Sequence, residues 1–248
     1  MVDFHTHILP SIDDGSKSVE ESISMLTELK EQGVRQVILT PHFYADRSSP
    51  SDFFKRRQGA WDKLKPHLTS ELPSLSLGAE VRYFDGMNRS DEIERFCIEG
   101  TSLLLIEMPS GTWTRRMITA LTELHESQGM TVLLAHIERY WKHQTRSVKR
   151  ELLDSGIRMQ LSAEYLIDRR TRRAALKMLR TEAAHVLGSD CHNMSSRKPN
   201  MAAAADIIRR KLGCDILSRI DSTERQLLRG ISPVDTLTPI TEEGGGRS

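Results

Sequence analysis

Seven short apolar runs alternate with segments of helical periodicity along the 248-residue chain. Continuous runs of Val, Ile and Leu are typical of strands that are buried on both faces of a parallel sheet. Repeated strand, helix, strand units favour right-handed crossovers and a parallel sheet, either closed as a barrel or left open. The predicted strands are residues 2–7, 34–42, 75–82, 103–107, 130–136, 157–162 and 185–190.

The helices between these strands have recognisable ends. Ser18 and Glu21 form a capping-box pattern, and Gly33 is placed as a C-cap; Gly129 and Gly156 follow later helical stretches in the same way. The sequence contains no internal repeat and no linker-like boundary. We therefore predict one domain over residues 1–235, followed by a disordered tail over residues 236–248.

Composition excludes several classes of protein. The chain has 35 basic and 34 acidic side chains, and this balance argues against a generic nucleic-acid binder. No apolar run approaches the roughly 18 residues of a transmembrane helix, and the first residues do not resemble a signal segment. Three cysteines without a Cys-x-x-Cys pair are typical of a reducing compartment, so we predict a cytoplasmic protein.

Metal-capable side chains close six of the seven predicted strands. In barrels of parallel strands, active sites collect at the carboxyl ends of the strands. Charged groups are seldom buried there without partners, so ordinary core packing does not explain the pattern. The residues in question are His5, His7, His42, Glu80, Glu107, His136, Asp190 and His192.

The first strand supports a metal site. A period of two places Asp3, His5 and His7 on one face. Imidazoles beside carboxylates are typical ligands of Mn²⁺, Fe²⁺ or Zn²⁺, and eight ligands exceed what one ion requires, which predicts two or three ions. The other four histidines lack this placement, and we interpret them as surface or packing residues: His67, His125, His143 and His185.

The order of the motifs resembles a known family. The segment from Asp3 to His7, the Asp13-Asp14-Gly15 turn and the Thr-Pro-His that ends at His42 resemble the opening of the PHP (polymerase and histidinol phosphatase) superfamily. Four further segments are similar to the CpsB/CapC/YwqE type of bacterial protein-tyrosine phosphatase: Gly78-Ala-Glu80, Ile106-Glu-Met-Pro109, Ala135-His-Ile-Glu-Arg-Tyr140 and Ser189-Asp-Cys-His-Asn193.

The resemblance implies a distorted, seven-stranded TIM-like (β/α)7 barrel with a centre of three metal ions, usually manganese. It implies hydrolysis of phosphotyrosine, usually on the tail of a bacterial tyrosine kinase that controls capsule or exopolysaccharide synthesis. Carried over by position, the eight residues that close the strands are the metal ligands. Arg139 and Arg197 match the arginines that hold phosphate.

The sequence departs from the family pattern at three positions, none of which is a predicted metal ligand. Phe43 replaces a common His, Met108 a common Leu and Ile137 a common Pro. We expect Phe43 and Tyr44 to reshape the mouth of the pocket. The role of Asp13 remains open between a metal ligand and a residue that orders its loop.

For the mechanism we expect a metal-bound hydroxide to attack phosphorus while Arg139 and Arg197 hold the non-bridging oxygens. Asp14 is a candidate general acid, although a turn that opens a helix explains its segment equally well. Arg115 and Arg116 lie where they could attract a phosphopeptide, with Trp113 or Tyr140 stacking on the substrate ring. A basic cluster on a predicted helix is either a solvated face or a docking site for an acidic partner: Arg169, Arg170, Arg172 and Arg173.

Three other functions compete with this hypothesis. Cys191 and Arg197 have the Cys-x5-Arg spacing of cysteine-dependent phosphatases, although no glycine lies between them to form a tight anion loop. A histidinol-phosphate phosphatase, or a phosphatase for another small phosphomonoester, would share the metal centre and differ in its pocket. A non-catalytic metal-binding regulator belongs to another class, but it would not need an open metal site.

Overall fold

The buried Val, Ile and Leu runs form parallel strands in the computed structural model, which describes residues 1–126 and 128–229. The strands are β1 (Val2–Thr6), β2 (Gln36–Leu39), β3 (His42–Phe43), β4 (Ser74–Leu77), β5 (Glu80–Arg82), β6 (Leu103–Glu107), β7 (Thr131–Leu134), β8 (Arg158–Ser162) and β9 (Val186–Gly188). The helices are α1 (Val19–Glu31), α2 (Pro50–Leu64), α3 (Arg115–Glu126), α4 (Glu138–Trp141), α5 (Arg146–Asp154), α6 (Ala163–Ile167), α7 (Arg172–Arg180), α8 (Met201–Leu212) and α9 (Cys214–Leu227). Single 3₁₀ turns occupy Lys65–His67, Met87–Arg89 and Ile93–Phe96.

Two of the predicted strands are interrupted. The second is divided into β2 and β3, and the third into β4 and β5. Pro41 has no N–H group to donate, which breaks the regular hydrogen-bond ladder. The pairing nevertheless continues, because Gly78 N donates to Leu39 O at 2.9 Å and Glu80 N donates to Pro41 O at 3.0 Å. Each broken strand therefore occupies a single position in the sheet.

The strands form a closed ring. The hydrogen-bonded orders are β1-β2-β4 and β3-β5-β6-β7-β8-β9, and every pair is parallel. Asp190 N donates to His5 O at 2.9 Å, and His7 N donates to Cys191 O at 3.0 Å, which joins the last strand to the first. The predicted distorted (β/α)7 barrel is confirmed. The single domain over residues 1–235 remains a prediction, and the proposed tail, residues 236–248, lies outside the described residues.

The predicted helix ends are correct where the sequence signals are strong. The Ser18 hydroxyl accepts a hydrogen bond from Glu21 N at 3.2 Å, as an N-cap does. Gly33 follows α1 with a φ of 78°, and Gly156 follows α5 with a φ of 77°. Both values lie in the left-handed region that glycine adopts without a steric penalty.

The core has two layers. One apolar cluster contains Phe4 of β1, Ile38 of β2, Leu105 of β6 and Leu133 of β7. Because β1 and β2 are not neighbours of β6 and β7, their side chains meet across the inside of the ring. A larger cluster packs the outer face of the strands against helices such as α1 and α2. Within the described residues, none of the helices has the length and apolar character needed to cross a bilayer.

We expect Leu105→Ala to lower the free energy of unfolding by about 2 to 5 kcal/mol, because it leaves a cavity inside the ring. Urea denaturation followed by circular dichroism measures this change. The matched control is Leu153→Ala on α5, since Leu153 is 44% exposed. Equal losses in the two variants would contradict the assignment of Leu105 to the inner core.

Candidate metal centre

The eight predicted ligands meet at the carboxyl end of the barrel. His42 and Glu80 lie in β3 and β5, the short second parts of the two broken strands, and the others lie near the end of a strand or in the segment that follows it. The fold thus collects side chains that are far apart in the sequence. Six of them are almost completely buried, while His42 and Glu107 are partly exposed toward the mouth of the barrel. Their side chains fall into overlapping groups whose possible ligand atoms lie within 4.8 Å of one another.

Glu80 lies at the centre of this cluster. Its Oε2 atom is 2.8 Å from His42 Nδ1, 3.1 Å from His5 Nε2 and 3.4 Å from His7 Nε2. Its Oε1 atom is 2.8 Å from His136 Nε2. Since its two oxygens face different imidazoles, Glu80 would be available as a ligand in more than one group if metal ions bind.

His5 and His7 direct the same ring atom at each other. Their Nε2 atoms are 3.1 Å apart, and Asp190 Oδ1 lies 3.6 Å from the first and 3.5 Å from the second. At this separation one Nε2 can donate a proton to the other, and a metal ion could take the place of that proton. This pair and Asp190 therefore form one candidate ion site.

Asp3 does not join His5 and His7, although strict alternation predicts that it should. The register of β1 against β2 shifts between Asp3 and Thr6, and this bulge interrupts the period of two. Asp3 Oδ1 instead accepts hydrogen bonds from His5 N at 3.3 Å and Ser189 N at 2.8 Å. The carboxylate thus holds the ends of β1 and β9 together below the cluster.

Asp13 orients His7. Its Oδ2 atom is 2.8 Å from His7 Nδ1 and accepts a hydrogen bond from His42 N at 3.0 Å. A carboxylate on Nδ1 directs the Nε2 lone pair of an imidazole toward a metal. Gly15 makes this loop possible, because a Cβ atom there would lie 2.1 Å from His7 O. The open question about Asp13 is thereby answered in favour of positioning.

Asp14 extends the cluster toward solvent. Its Oδ1 atom lies 3.4 Å from His42 Nε2 and 3.5 Å from His192 Nε2. With His7, these residues form another group of the size that could hold an ion. The remaining groups are His5 with His7 and Asp190; His5 with Glu80 and His136; and His42 with Glu80 and Glu107.

The donor atoms fit divalent metal ions. Five buried atoms of the cluster have no hydrogen-bond partner within the described residues: His42 Nδ1, Glu80 Oε2, Glu107 Oε2, His136 Nδ1 and His192 Nε2. His42 Nδ1 and Glu80 Oε2 are 2.8 Å apart, yet their orientation does not form a hydrogen bond. His136 faces Glu80 with its other nitrogen, Nε2, so its Nδ1 points elsewhere. Buried polar atoms are normally paired, and the unpaired atoms of His42, Glu80, Glu107 and His192 therefore fit bound cations.

Two imidazoles and the central carboxylate of the cluster have pKa values that favour the forms that bind metals. Burial lowers the pKa of His136 and of His192 to about 4, with help from the nearby His7 charge in the second case. Both rings are therefore neutral at pH 7 and have a free lone pair. Burial alone would raise the pKa of Glu80, but neighbouring imidazoles, above all His5, hold it well below its usual range. Burial disfavours the charged forms of His5 and His7, but the nearby carboxylates raise the pKa of both rings, so these two would lose a proton when a metal ion binds.

Arg139 and Arg197 lie beside the cluster and share one carboxylate. Arg139 Nη2 and Arg197 Nη2 both donate to Asp190 Oδ2, the latter at 2.8 Å. Asp190 Oδ1 faces the imidazoles, so the two oxygens of this residue serve different neighbours. Both guanidinium groups are roughly half exposed and can reach a phosphoryl group at the mouth.

Several expectations about the pocket mouth are wrong. Trp113 and Tyr140 are only 3% and 4% exposed and pack against each other, so neither can stack on a substrate ring. Phe43 is buried against Phe53 and Phe96 and belongs to the core. Tyr44 does reach the mouth, where its ring stacks on His42 at 5.1 Å between centroids.

The four clustered arginines do not form one helical face. Arg169 and Arg170 precede α7, and only Arg172 and Arg173 belong to it. Arg172 donates to Leu166 O and Ile167 O, so it caps the end of α6. Because its guanidinium group makes these internal hydrogen bonds, Arg172 is not available to bind an acidic partner.

Cys191 does not have the environment of a nucleophile. The residue is completely buried, and burial raises the pKa of its thiol well above the usual value. A nucleophilic cysteine needs a stabilised thiolate with access to substrate. The cysteine-dependent alternative is therefore contradicted by the position of this side chain.

The four remaining histidines lie outside the cluster, as predicted. His125 Nδ1 lies 2.8 Å from Met130 O, and His185 Nδ1 accepts a hydrogen bond from Met159 N at 3.1 Å. Sequence reasoning missed two buried polar residues next to the centre, Gln160 and Glu138. Glu138 Oε2 accepts a hydrogen bond from Ser162 N at 3.2 Å, which ties α4 to the end of β8.

Comparison with known proteins gives a consistent result. A family model described as "Capsular polysaccharide synthesis, CpsB/CapC" matches residues 1–228. Tyrosine-protein phosphatase CpsB of Streptococcus pneumoniae is 30% identical over 224 residues, which cover 86% of this chain and 91% of the relative. Putative tyrosine-protein phosphatase CapC of Staphylococcus aureus is 31% identical over 211 residues, or 79% of each chain.

A solved structure supports the fold. It belongs to a study of YwqE from Bacillus subtilis and CpsB from Streptococcus pneumoniae, described as unique metal-dependent tyrosine phosphatases. It superposes with a TM-score of 0.79 at 23% identity and covers 94% of this chain and 96% of the other. The match of the family model across the whole barrel confirms the resemblance noted in the sequence: the chain belongs to the CpsB/CapC family.

Proposed function

We propose that this protein is a metal-dependent protein-tyrosine phosphatase, a phosphoric monoester hydrolase that cleaves phosphotyrosine. One observation carries the proposal: eight metal-capable side chains and two arginines converge at one barrel mouth. The printed names of the relatives, tyrosine-protein phosphatases CpsB and CapC, supply the substrate class.

The cluster is suited to a phosphate monoester, which is a dianion. Bound divalent ions would neutralise the phosphoryl oxygens and make a water molecule acidic enough to serve as the nucleophile. The protein contributes the geometry. Glu80 holds the ion sites together, Asp13 fixes the ring of His7, and Asp190 places Arg139 and Arg197 on the solvent side.

Arg139 and Arg197 bind the non-bridging phosphoryl oxygens in this proposal. A guanidinium group donates two parallel hydrogen bonds to phosphate, which a lysine cannot do. When substrate binds, these donors exchange Asp190 Oδ2 for phosphoryl oxygens that lie next to it. The tyrosine phenolate needs little protonation to leave, because its conjugate acid has a pKa of roughly 10.

We also propose which metal, substrate protein and cellular location fit these residues. The mixed imidazole and carboxylate donors favour Mn²⁺, with Fe²⁺ or Zn²⁺ as alternatives, and eight ligands are enough for about three ions. The substrate is a tyrosine-phosphorylated protein, and we propose the tail of a bacterial tyrosine kinase that regulates capsular polysaccharide synthesis. The free cysteines Cys97, Cys191 and Cys214 support a cytoplasmic location.

We expect the protein to hydrolyse a phosphotyrosine peptide faster than a phosphoserine peptide or histidinol phosphate. Phosphate release from the three substrates, measured side by side with EDTA and Mn²⁺ controls, gives the comparison. EDTA should abolish turnover, and Mn²⁺ should restore it. Greater turnover of histidinol phosphate would transfer the assignment to that class, and metal binding without any turnover would favour a regulator.

We expect Arg139→Lys and Arg197→Lys each to lower kcat/KM for the phosphotyrosine peptide by about tenfold or more, because the bidentate contact is lost. Steady-state kinetics measure the loss. Arg170→Lys is the matched control, since Arg170 is an exposed residue whose guanidinium group is paired with Asp168. Unchanged kinetics in both active-site variants would remove these arginines from phosphate binding.

We propose that Asp14 is a further metal contact. One variant can distinguish this role from that of a general acid. Loss of a metal contact in Asp14→Asn should lower bound metal and reduce turnover of phosphotyrosine and p-nitrophenyl phosphate alike. Loss of an acid should spare p-nitrophenyl phosphate, whose leaving group is a weaker base, and should leave the metal content unchanged. Metal analysis and kinetics on both substrates distinguish the outcomes.

A further inference from the structure

Gln160 lies in the middle of β8, the strand whose carboxyl end carries no predicted ligand. The residue is completely buried, and its side chain reaches two of the predicted ligands. Its Oε1 atom is 2.7 Å from His136 N and 3.2 Å from His5 Nδ1. One amide oxygen therefore contacts both β1 and the segment after β7.

These contacts determine the orientation of the amide group. A backbone N–H can only donate, so the atom of Gln160 that faces His136 N must be the oxygen. The same oxygen can only accept from His5, which places the ring proton of His5 on Nδ1. In the neutral ring, which is the form that binds a metal, the lone pair of His5 is then on Nε2, the atom that lies 3.1 Å from Glu80 Oε2. The structure thus specifies which tautomer faces the cluster.

His136 also depends on this contact. Its φ is +32°, a conformation that residues with side chains seldom adopt. Its N–H is held by Gln160 Oε1, and the next N–H, of Ile137, donates to the backbone oxygen of Gln160 at 3.0 Å. Both peptide groups that flank the His136 side chain are therefore fixed by the same residue.

We propose that Gln160 is a positioning residue of the metal centre, which sets the ring tautomer of His5 and the backbone conformation of His136 through one oxygen. The proposal rests on the metal centre assigned under the proposed function. It explains how β8 contributes to the site without supplying a ligand.

Gln160 and His5 are closely packed against Gly188 at the end of β9. A Cβ atom on Gly188 would lie 2.7 Å from His5 Cβ and 2.8 Å from Gln160 Nε2. The end of β9 therefore lies directly against both His5 and Gln160, and a side chain at this position would displace one of them. A glycine at this position is required by the close approach of the two side chains.

Metal affinity tests the proposal. We expect Gln160→Leu to weaken the binding of Mn²⁺ by about 10- to 100-fold, as measured by competition with a chelator, because partners of metal ligands have effects of this size. Gln160→Glu keeps an acceptor oxygen and should bind Mn²⁺ with close to wild-type affinity. The control is Gln144→Leu, which also removes buried hydrogen bonds, to Trp113 N and Gly111 O, but contacts no predicted ligand. Wild-type affinity in a folded Gln160→Leu protein would overturn the proposal.

A second measurement does not depend on any variant folding. In the zinc-loaded wild-type protein, which is diamagnetic, ¹⁵N NMR of the histidine rings should show His5 with its proton on Nδ1 and its metal on Nε2. A metal on Nδ1 would contradict the role given to Gln160. Both readouts are independent of turnover, so a protein that binds metal but fails to hydrolyse phosphotyrosine would refute the proposed function alone.

Discussion

The structure is organised around a buried cluster of imidazole and carboxylate side chains, which requires cations to be stable. Glu80 faces four histidines with its two oxygens, and His5 and His7 face each other through the same ring atom. Such a cluster is unfavourable in an apolar interior unless cations occupy it. The barrel provides the means to build it, because parallel strands end on one side and bring distant residues of the sequence into one layer.

The residues of the site form layers around the cluster, and each layer has a different role. The predicted ligands form the inner layer, and a surrounding set of hydrogen bonds fixes their orientation: Asp13 holds His7, and Gln160 holds His5 and His136. On the solvent side, Asp190 links the imidazoles to two arginines. The two arginines, together with any bound metal ions, place positive charge where an anionic substrate would bind. A chain with a net charge of only +1 can therefore still bind a phosphorylated substrate.

Much of this arrangement was accessible from the sequence. The parallel strands and the eight metal-capable side chains at their ends follow from apolar runs that end in His, Glu or Asp. The closed barrel was implied only by the resemblance to a known family, because the apolar pattern fits an open sheet equally well. What the sequence could not reveal depends on contacts between distant segments. The bulge that removes Asp3 from the cluster arises from the register of β1 on β2, and the burial of Trp113 and Tyr140 arises from their mutual packing. Gln160 carries no motif, so only its distances to His5 and His136 identify it.

Elemental analysis of natively purified protein measures whether the cluster holds metal ions. We expect roughly three divalent ions per chain, as eight ligands allow, and a loss of bound metal together with phosphatase activity in His136→Ala. A natively purified protein that contains no stoichiometric metal, or a His136→Ala variant that keeps both its metal and its activity, would show that these side chains do not form a metal centre.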